Sequence, residues 1–92
     1  HGIVNNAYNG KVGPITKVTT DDFLNAAQLN LSAPFQLIKG LYPLLKSGAN
    51  ESGKSSSIVN VCSMYAKVSP YADLYSATGT EPNPAHYGAA KA

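Results

Sequence analysis

The chain has 92 residues, 43% hydrophobic and 13% charged, with a formal net charge of +2, a globular composition that excludes a disordered tail or a collagen-like repeat and leaves room for one domain at most. The positive charge comes from scattered lysines with no basic run and no interleaved aromatics, which argues against a nucleic-acid partner. Apolar runs of only a few residues argue against a membrane span, and no basic start leads into an apolar stretch as in a signal peptide, so the expected location is cytoplasmic.

In chain order, His1–Asn5 is short, apolar and β-branched and then breaks into Asn6-Ala7-Tyr8-Asn9-Gly10, which predicts a buried strand opening into a turn-rich loop. Thr20 is a candidate N-cap, and Asp21 and Asp22 behind it suit the positive end of a helix dipole. Phe23, Ala27, Leu31, Ile38, Leu41 and Leu45 recur at helical spacing, so a long helix is predicted from about Asp21 to Lys46 with one stripe against a sheet. Ser47–Ser57, rich in Ser and Gly, reads as a solvated connection. Ser57–Ser63 is a second compact apolar run, the pattern of a strand covered on both faces, and Cys62 within it is expected to be a small buried residue. As the only cysteine, it has no partner for an internal disulfide.

These elements make a β-α-β unit, whose strands should be parallel and should end at the edge where α/β proteins bind ligands. After Ser63 the stretch with Pro70, Gly79, Pro82 and Pro84 looks irregular, and from Ala85 the alanine-rich Ala85–Ala92 reads as the start of a further helix. On that helix Tyr87 and Lys91 stand four apart, on one face. An ammonium beside a phenol favours the ionised phenol, which makes the pair a proton donor and acceptor, although the same spacing also occurs by chance on surface helices. Ser63, at the expected carboxyl end of the second strand, is a candidate ligand group, whereas a lone serine there often only satisfies backbone. His86 points away from Tyr87 and is expected to be solvated. Pro34 lies four residues after Asn30 and brings no N–H, so the Asn30 carbonyl should be free to hold an ordered water; the alternative is a simple kink.

The ordered set Asn5-Asn6-Ala7, Asn30, Ser63, Tyr87 and Lys91 resembles the short-chain dehydrogenase/reductase family, whose members carry Asn-Asn-Ala-Gly after the fourth strand and Tyr-x-x-x-Lys on the catalytic helix. The resemblance covers nearly the whole chain. It implies part of a doubly wound parallel-sheet (Rossmann-type) α/β domain, residues 1–92 being an internal segment with no second domain. It implies an NAD- or NADP-dependent exchange of a secondary alcohol and a ketone, with Tyr87 as general acid/base and Ser63 bonding the substrate oxygen. Lys91 would lower the Tyr87 pKa and hold the nicotinamide ribose, Asn30 would support a water-linked relay, and Asn5, Asn6 and Ala7 would line the cofactor site. The partners implied are a small alcohol or ketone and further copies of the chain, as a dimer or tetramer.

Three departures from the pattern stand out. Tyr8 replaces the usual glycine after Asn-Asn-Ala, which brings a bulky ring to the pocket edge. The connection from Ser63 to Tyr87 is long and carries Tyr65, Tyr71 and Tyr75, similar to sugar-nucleotide enzymes of the extended branch, which leaves a carbohydrate-derived substrate open. The glycine-rich turn that receives the pyrophosphate lies outside these residues, and Gly10-Lys11-Val12-Gly13 does not replace it. The 92 residues alone are therefore expected to be inactive, and a catalytically silent binding or regulatory relative is the rival reading.

Overall fold

The computed structural model describes residues 1–92. Two strands, β1 (Gly2–Asn5) and β2 (Ser57–Asn60), pair in parallel with Gly2 opposite Ser57 and Asn5 opposite Asn60. The ladder continues one bond beyond each end: the Ser57 N–H donates to the His1 carbonyl at 3.1 Å and the Val61 N–H to the Asn5 carbonyl at 3.0 Å. Parallel strands need a long crossover, and the helical arm between them supplies it.

That arm is one continuous helix in three parts, α1 (Thr20–Ala27), a wide π-turn over Gln28–Ser32, and α2 (Ala33–Ser52). Thr19, one residue before the expected Thr20, is the N-cap: its hydroxyl accepts from the Asp22 N–H at 3.2 Å, and the Asp22 carboxylate accepts from the Thr19 N–H at 2.9 Å. This reciprocal pair satisfies two donors that the first turn leaves open. The π-turn ends two residues before Pro34 and is bonded from the Ala33 N–H to the Gln28 carbonyl. A proline ring there would crowd the Asn30 carbonyl in a regular α-turn, and widening the turn relieves that contact.

Two expectations about loops are corrected. The helix does not stop near Lys46 but runs to Ser52, with Gly53 in the left-handed conformation after it. The Ser and Gly residues of that stretch are used inside the helix: Ser47 donates to the Glu51 carboxylate at 2.8 Å, Ser52 to the Gly48 carbonyl at 2.7 Å, and the bare face of Gly48 lies against the His1 ring. The stretch between Ser63 and Pro84 is not simply irregular, since it holds a 3₁₀ turn at Met64–Ala66 and a helix, α3 (Ala72–Thr78). The last helix, α4 (Ala85–Ala90), begins where the sequence predicts.

The helical arm gives the molecule extents of 54 × 25 × 18 Å and a radius of gyration of 17.0 Å, against roughly 12 Å for a compact chain of this length. Of the predicted stripe, Ala27, Ile38, Leu41 and Leu45 are half-buried, while Phe23 and, in the π-turn, Leu31 are exposed. The second strand is not covered on both faces: all four residues of β2 are exposed, and so is Cys62. One helical arm can lie against one face of a two-stranded sheet and leaves the other face and both outer edges open. No helix is long and apolar enough to cross a membrane.

Candidate active site

The site is built around α4. Tyr87 and Lys91 stand one turn apart, and the Lys91 N–H donates to the Tyr87 carbonyl at 3.0 Å. Gly88, between them, lets the helix approach the turn after β2 at backbone range: a Cβ there would lie 2.5 Å from the Tyr65 carbonyl oxygen. Real side chains do not tolerate that distance, so this glycine sets how closely α4 meets the Ser63 turn. Ser63 itself is not the last residue of the strand, which ends at Asn60; it caps the 3₁₀ turn, its hydroxyl oxygen accepting from the Tyr65 N–H at 3.2 Å. That bond uses a lone pair and not the hydroxyl proton.

Tyr87 lies between two other tyrosines. The Tyr8 ring meets it edge-on with centroids 4.8 Å apart, and the Tyr65 ring lies at 6.5 Å. Lys91 is buried, at 8% exposure. Its ammonium has no carboxylate partner; it donates to the Val61 carbonyl at 3.2 Å and sits 5.7 Å from the centre of the Tyr8 ring. A carbonyl and a π face together stabilise a cation that burial would otherwise penalise.

Two clefts open on either side of this helix. On the Lys91 side, a cleft of about 550 Å³ is lined by Asn5, Asn6, Ala7, Asn30, Pro34 and Lys91, among others. Asn5 donates its amide to the Asn60 side chain at 2.7 Å, a bond made possible by their facing positions in the ladder. Asn30 donates one amide N–H to the Ala26 carbonyl at 2.9 Å, which folds the side chain back onto its own helix. Its own carbonyl faces a proline four residues on, which has no N–H to offer. On the other side, a cleft of about 880 Å³ lies under α3, lined by Tyr65, Ser69, Tyr75, Ser76, Asn83 and Gly88, among others. The Tyr65 and Tyr75 hydroxyls are 3.0 Å apart, and that hydrogen bond, with burial and repulsion between the two phenols, pushes the Tyr75 phenol above its usual range. The loops that frame this cleft are tied across it by the Gly13 N–H to the Pro82 carbonyl at 3.2 Å and by Lys17 to Glu81 at 2.7 Å.

The structure brings together only part of the sequence-predicted set: neither Tyr87 nor Ser63 lines either of these two clefts. Asn5, Asn6, Ala7, Asn30 and Lys91 share a cleft, and Ser63 reaches the α4 backbone through Tyr65 and Gly88. No hydrogen bond joins the Tyr87 hydroxyl to Ser63 or to Lys91, whose polar atoms are engaged with Tyr65 and Val61. His86 is not solvated: at 1% exposure it is the most buried large side chain, packed edge-on to Phe23 with centroids 5.7 Å apart. Neighbouring helix positions do point apart, but here the second direction faces α1 rather than water. Tyr8 joins the site although it breaks the expected glycine pattern, and it does so without a positive φ. Burial, then repulsion from Tyr87, pushes the Tyr8 phenol above its ordinary value.

The family model described as short chain dehydrogenase matches residues 1–92. A search of curated proteins finds no match.

Proposed function

Since the chain belongs to the short-chain dehydrogenase family, we propose that it serves an oxidoreductase that interconverts a secondary alcohol and a ketone, with NAD or NADP as hydride carrier and Tyr87 as the group that gives and takes the proton. The observation that carries this reading is Lys91, a buried ammonium one turn from Tyr87, on the wall of a cleft shared with Asn5, Asn6, Ala7 and Asn30.

The donor set of that cleft fits the ribose and nicotinamide end of a dinucleotide. An ammonium has three N–H bonds and only one goes to Val61, so donors remain for ribose hydroxyls. The bound dinucleotide supplies or accepts the hydride. Everything else falls to the chain. In the reducing direction the Tyr87 hydroxyl donates its proton to the substrate oxygen as the carbonyl is reduced, and the Ser63 hydroxyl, its proton unused by the bond to Tyr65, donates a hydrogen bond to the same oxygen. Lys91 brings positive charge to the turn of helix that carries Tyr87. The Asn30 carbonyl, which cannot receive an N–H from Pro34, anchors a water through which Tyr87 is reprotonated. The larger cleft beside Tyr65 and Tyr75 takes the rest of the substrate, and self-association through the exposed apolar faces belongs to the same proposal.

The test is turnover of a panel of ketones with NADH and NADPH by the full-length protein that carries these residues, alongside dinucleotide binding followed by fluorescence. Tyr87→Phe should lower turnover by roughly 10²–10⁴-fold, the usual worth of a general acid, and leave dinucleotide affinity within a few-fold. Lys91→Met should weaken both. Turnover by Tyr87→Phe at the wild-type rate rules out the assigned role, and failure of the protein to bind either dinucleotide rules out the reaction.

A further inference from the structure

One side chain touches both members of the Tyr87–Lys91 pair, and it is the one that departs from the family pattern. The Tyr8 ring packs edge-on against Tyr87 at 4.8 Å, and the Lys91 ammonium sits 5.7 Å from its centre. A glycine at position 8 would leave the phenol without this neighbour and the ammonium without its π face.

The other end of the same side chain poses a second question. The Tyr8 hydroxyl is buried without a hydrogen-bond partner, and so are both ring nitrogens of His86. Buried polar groups in this state are uncommon and costly, and finding two together points to a shared purpose. They converge over Gly10: a Cβ on that residue would collide with the Tyr8 hydroxyl and lie 3.2 Å from His86 Nε2. The bare Gly10 backbone leaves the space in which one water can bridge the phenol and the imidazole, which do not bond each other directly. His86 precedes Tyr87 in α4, so such a bridge ties the loop after β1 to the helix that carries the pair.

We propose that Tyr8 is a positioning residue for Tyr87 and Lys91: its ring braces the phenol and seats the ammonium, and its hydroxyl is anchored by His86. The catalytic consequence rests on the dehydrogenase reading; the seating of Lys91 does not.

The experiment separates the two. Lysine reactivity is mapped by limited acetylation and mass spectrometry on the full-length wild-type protein and on its Tyr8→Phe, Tyr8→Leu and Tyr8→Ala variants. Lys91 should react at least about 10-fold more slowly than the exposed Lys67 in the wild type and in Tyr8→Phe, which keeps the π face, and should approach the Lys67 rate in Tyr8→Leu and Tyr8→Ala. Turnover should follow the same order: kcat within about 3-fold of wild type for Tyr8→Phe and at least about 10-fold lower for Tyr8→Leu, with KM for the ketone little changed. Thermal shifts of Tyr8→Phe and His86→Phe should be less than additive in the double variant. Tyr8→Leu keeps the bulk of the site, so it decides the matter if Tyr8→Ala does not fold. Unchanged Lys91 protection in Tyr8→Leu overturns the proposal. The expected protection pattern in a protein that turns over no ketone would support the seating role and remove the dehydrogenase reading instead.

Discussion

Around α4 the chain buries a histidine and a lysine, each with under a tenth of its surface exposed, whereas along β2 it leaves Ile58 and Val59 at 44% and 50% exposure. Hydrophobicity alone predicts the reverse, because apolar strand residues are among the first to be buried and lysines among the last. The difference lies in what each region has to pack against. The α4 end is enclosed by α1, the loop after β1 and the turn after β2, and two of those contacts depend on missing side chains, those of Gly10 and Gly88. The sheet end has two strands and one helical arm. Enclosure there fails for want of elements, whatever the side chains.

The sharpest way to break this contrast is to prise α4 off the turn that carries Ser63. Gly88→Ala adds a methyl group 2.5 Å from a backbone oxygen, which cannot swing aside as a flexible side chain would. The helix must move by a good fraction of an ångström, at a stability cost of about 1–3 kcal/mol for overpacking. A displacement of that size between Tyr87 and Ser63 should reduce turnover by about 100-fold. Paired denaturation and kinetic measurements check this, and a variant with wild-type turnover would show that the close approach does not set the site.

Within β1 and β2 the comparison can be sharpened residue by residue. Ile3, at 8% exposure, is the strand's one well-buried apolar side chain, and Ile3→Ala should cost about 2–5 kcal/mol. Val59→Thr keeps the β-branched shape on an exposed position and should stay within about 0.5 kcal/mol. A Val59→Thr cost near that of Ile3→Ala would mean that β2 is covered in solution, by further elements of the domain or by another copy of the chain, which sedimentation of the same samples distinguishes.

How far the sequence could be read follows the same division. Features set by local chemistry were legible, namely the strand start, the onset of the long helix to within one residue and the turn of α4 that aligns Tyr87 with Lys91, and so was the parallel pairing, which the β-α-β connection dictates. Features set by packing between distant segments were not. Ser47–Ser52 has loop-like composition, yet side-chain bonds such as Ser52 to Gly48 keep it helical. Leu31 fits a 3.6-residue period on paper, but the π-turn adds a residue's worth of rotation and leaves it exposed. His86 was misread because helix geometry says only that it points away from Tyr87, and whether α1 or water lies there is a tertiary fact. The one signal in the sequence for the placing of Tyr8 and His86 about Gly10 was the mismatch at the glycine position.

A smaller loss than that of Gly88→Ala or Ile3→Ala is expected at the capping pair that starts α1, the helix against which His86 is buried. Two hydrogen bonds from Thr19, first its N–H and then its hydroxyl, hold the Asp22 carboxyl below the usual carboxylate range, with Lys11 adding a weak attraction at 4.0 Å. A carboxyl lowered on folding stabilises the fold above its unfolded pKa, about 3.9, and that contribution is lost as pH falls through the lower folded value. Thr19→Ala removes the cap and should cost roughly 1 kcal/mol at pH 7. Because protonated Asp22 is a weaker acceptor, the gap between wild type and Thr19→Ala should narrow when urea unfolding is repeated below about pH 4. A gap that stays constant across that range would assign the whole effect to the Thr19 hydroxyl capping the Asp22 N–H, with no share from the carboxylate's charge.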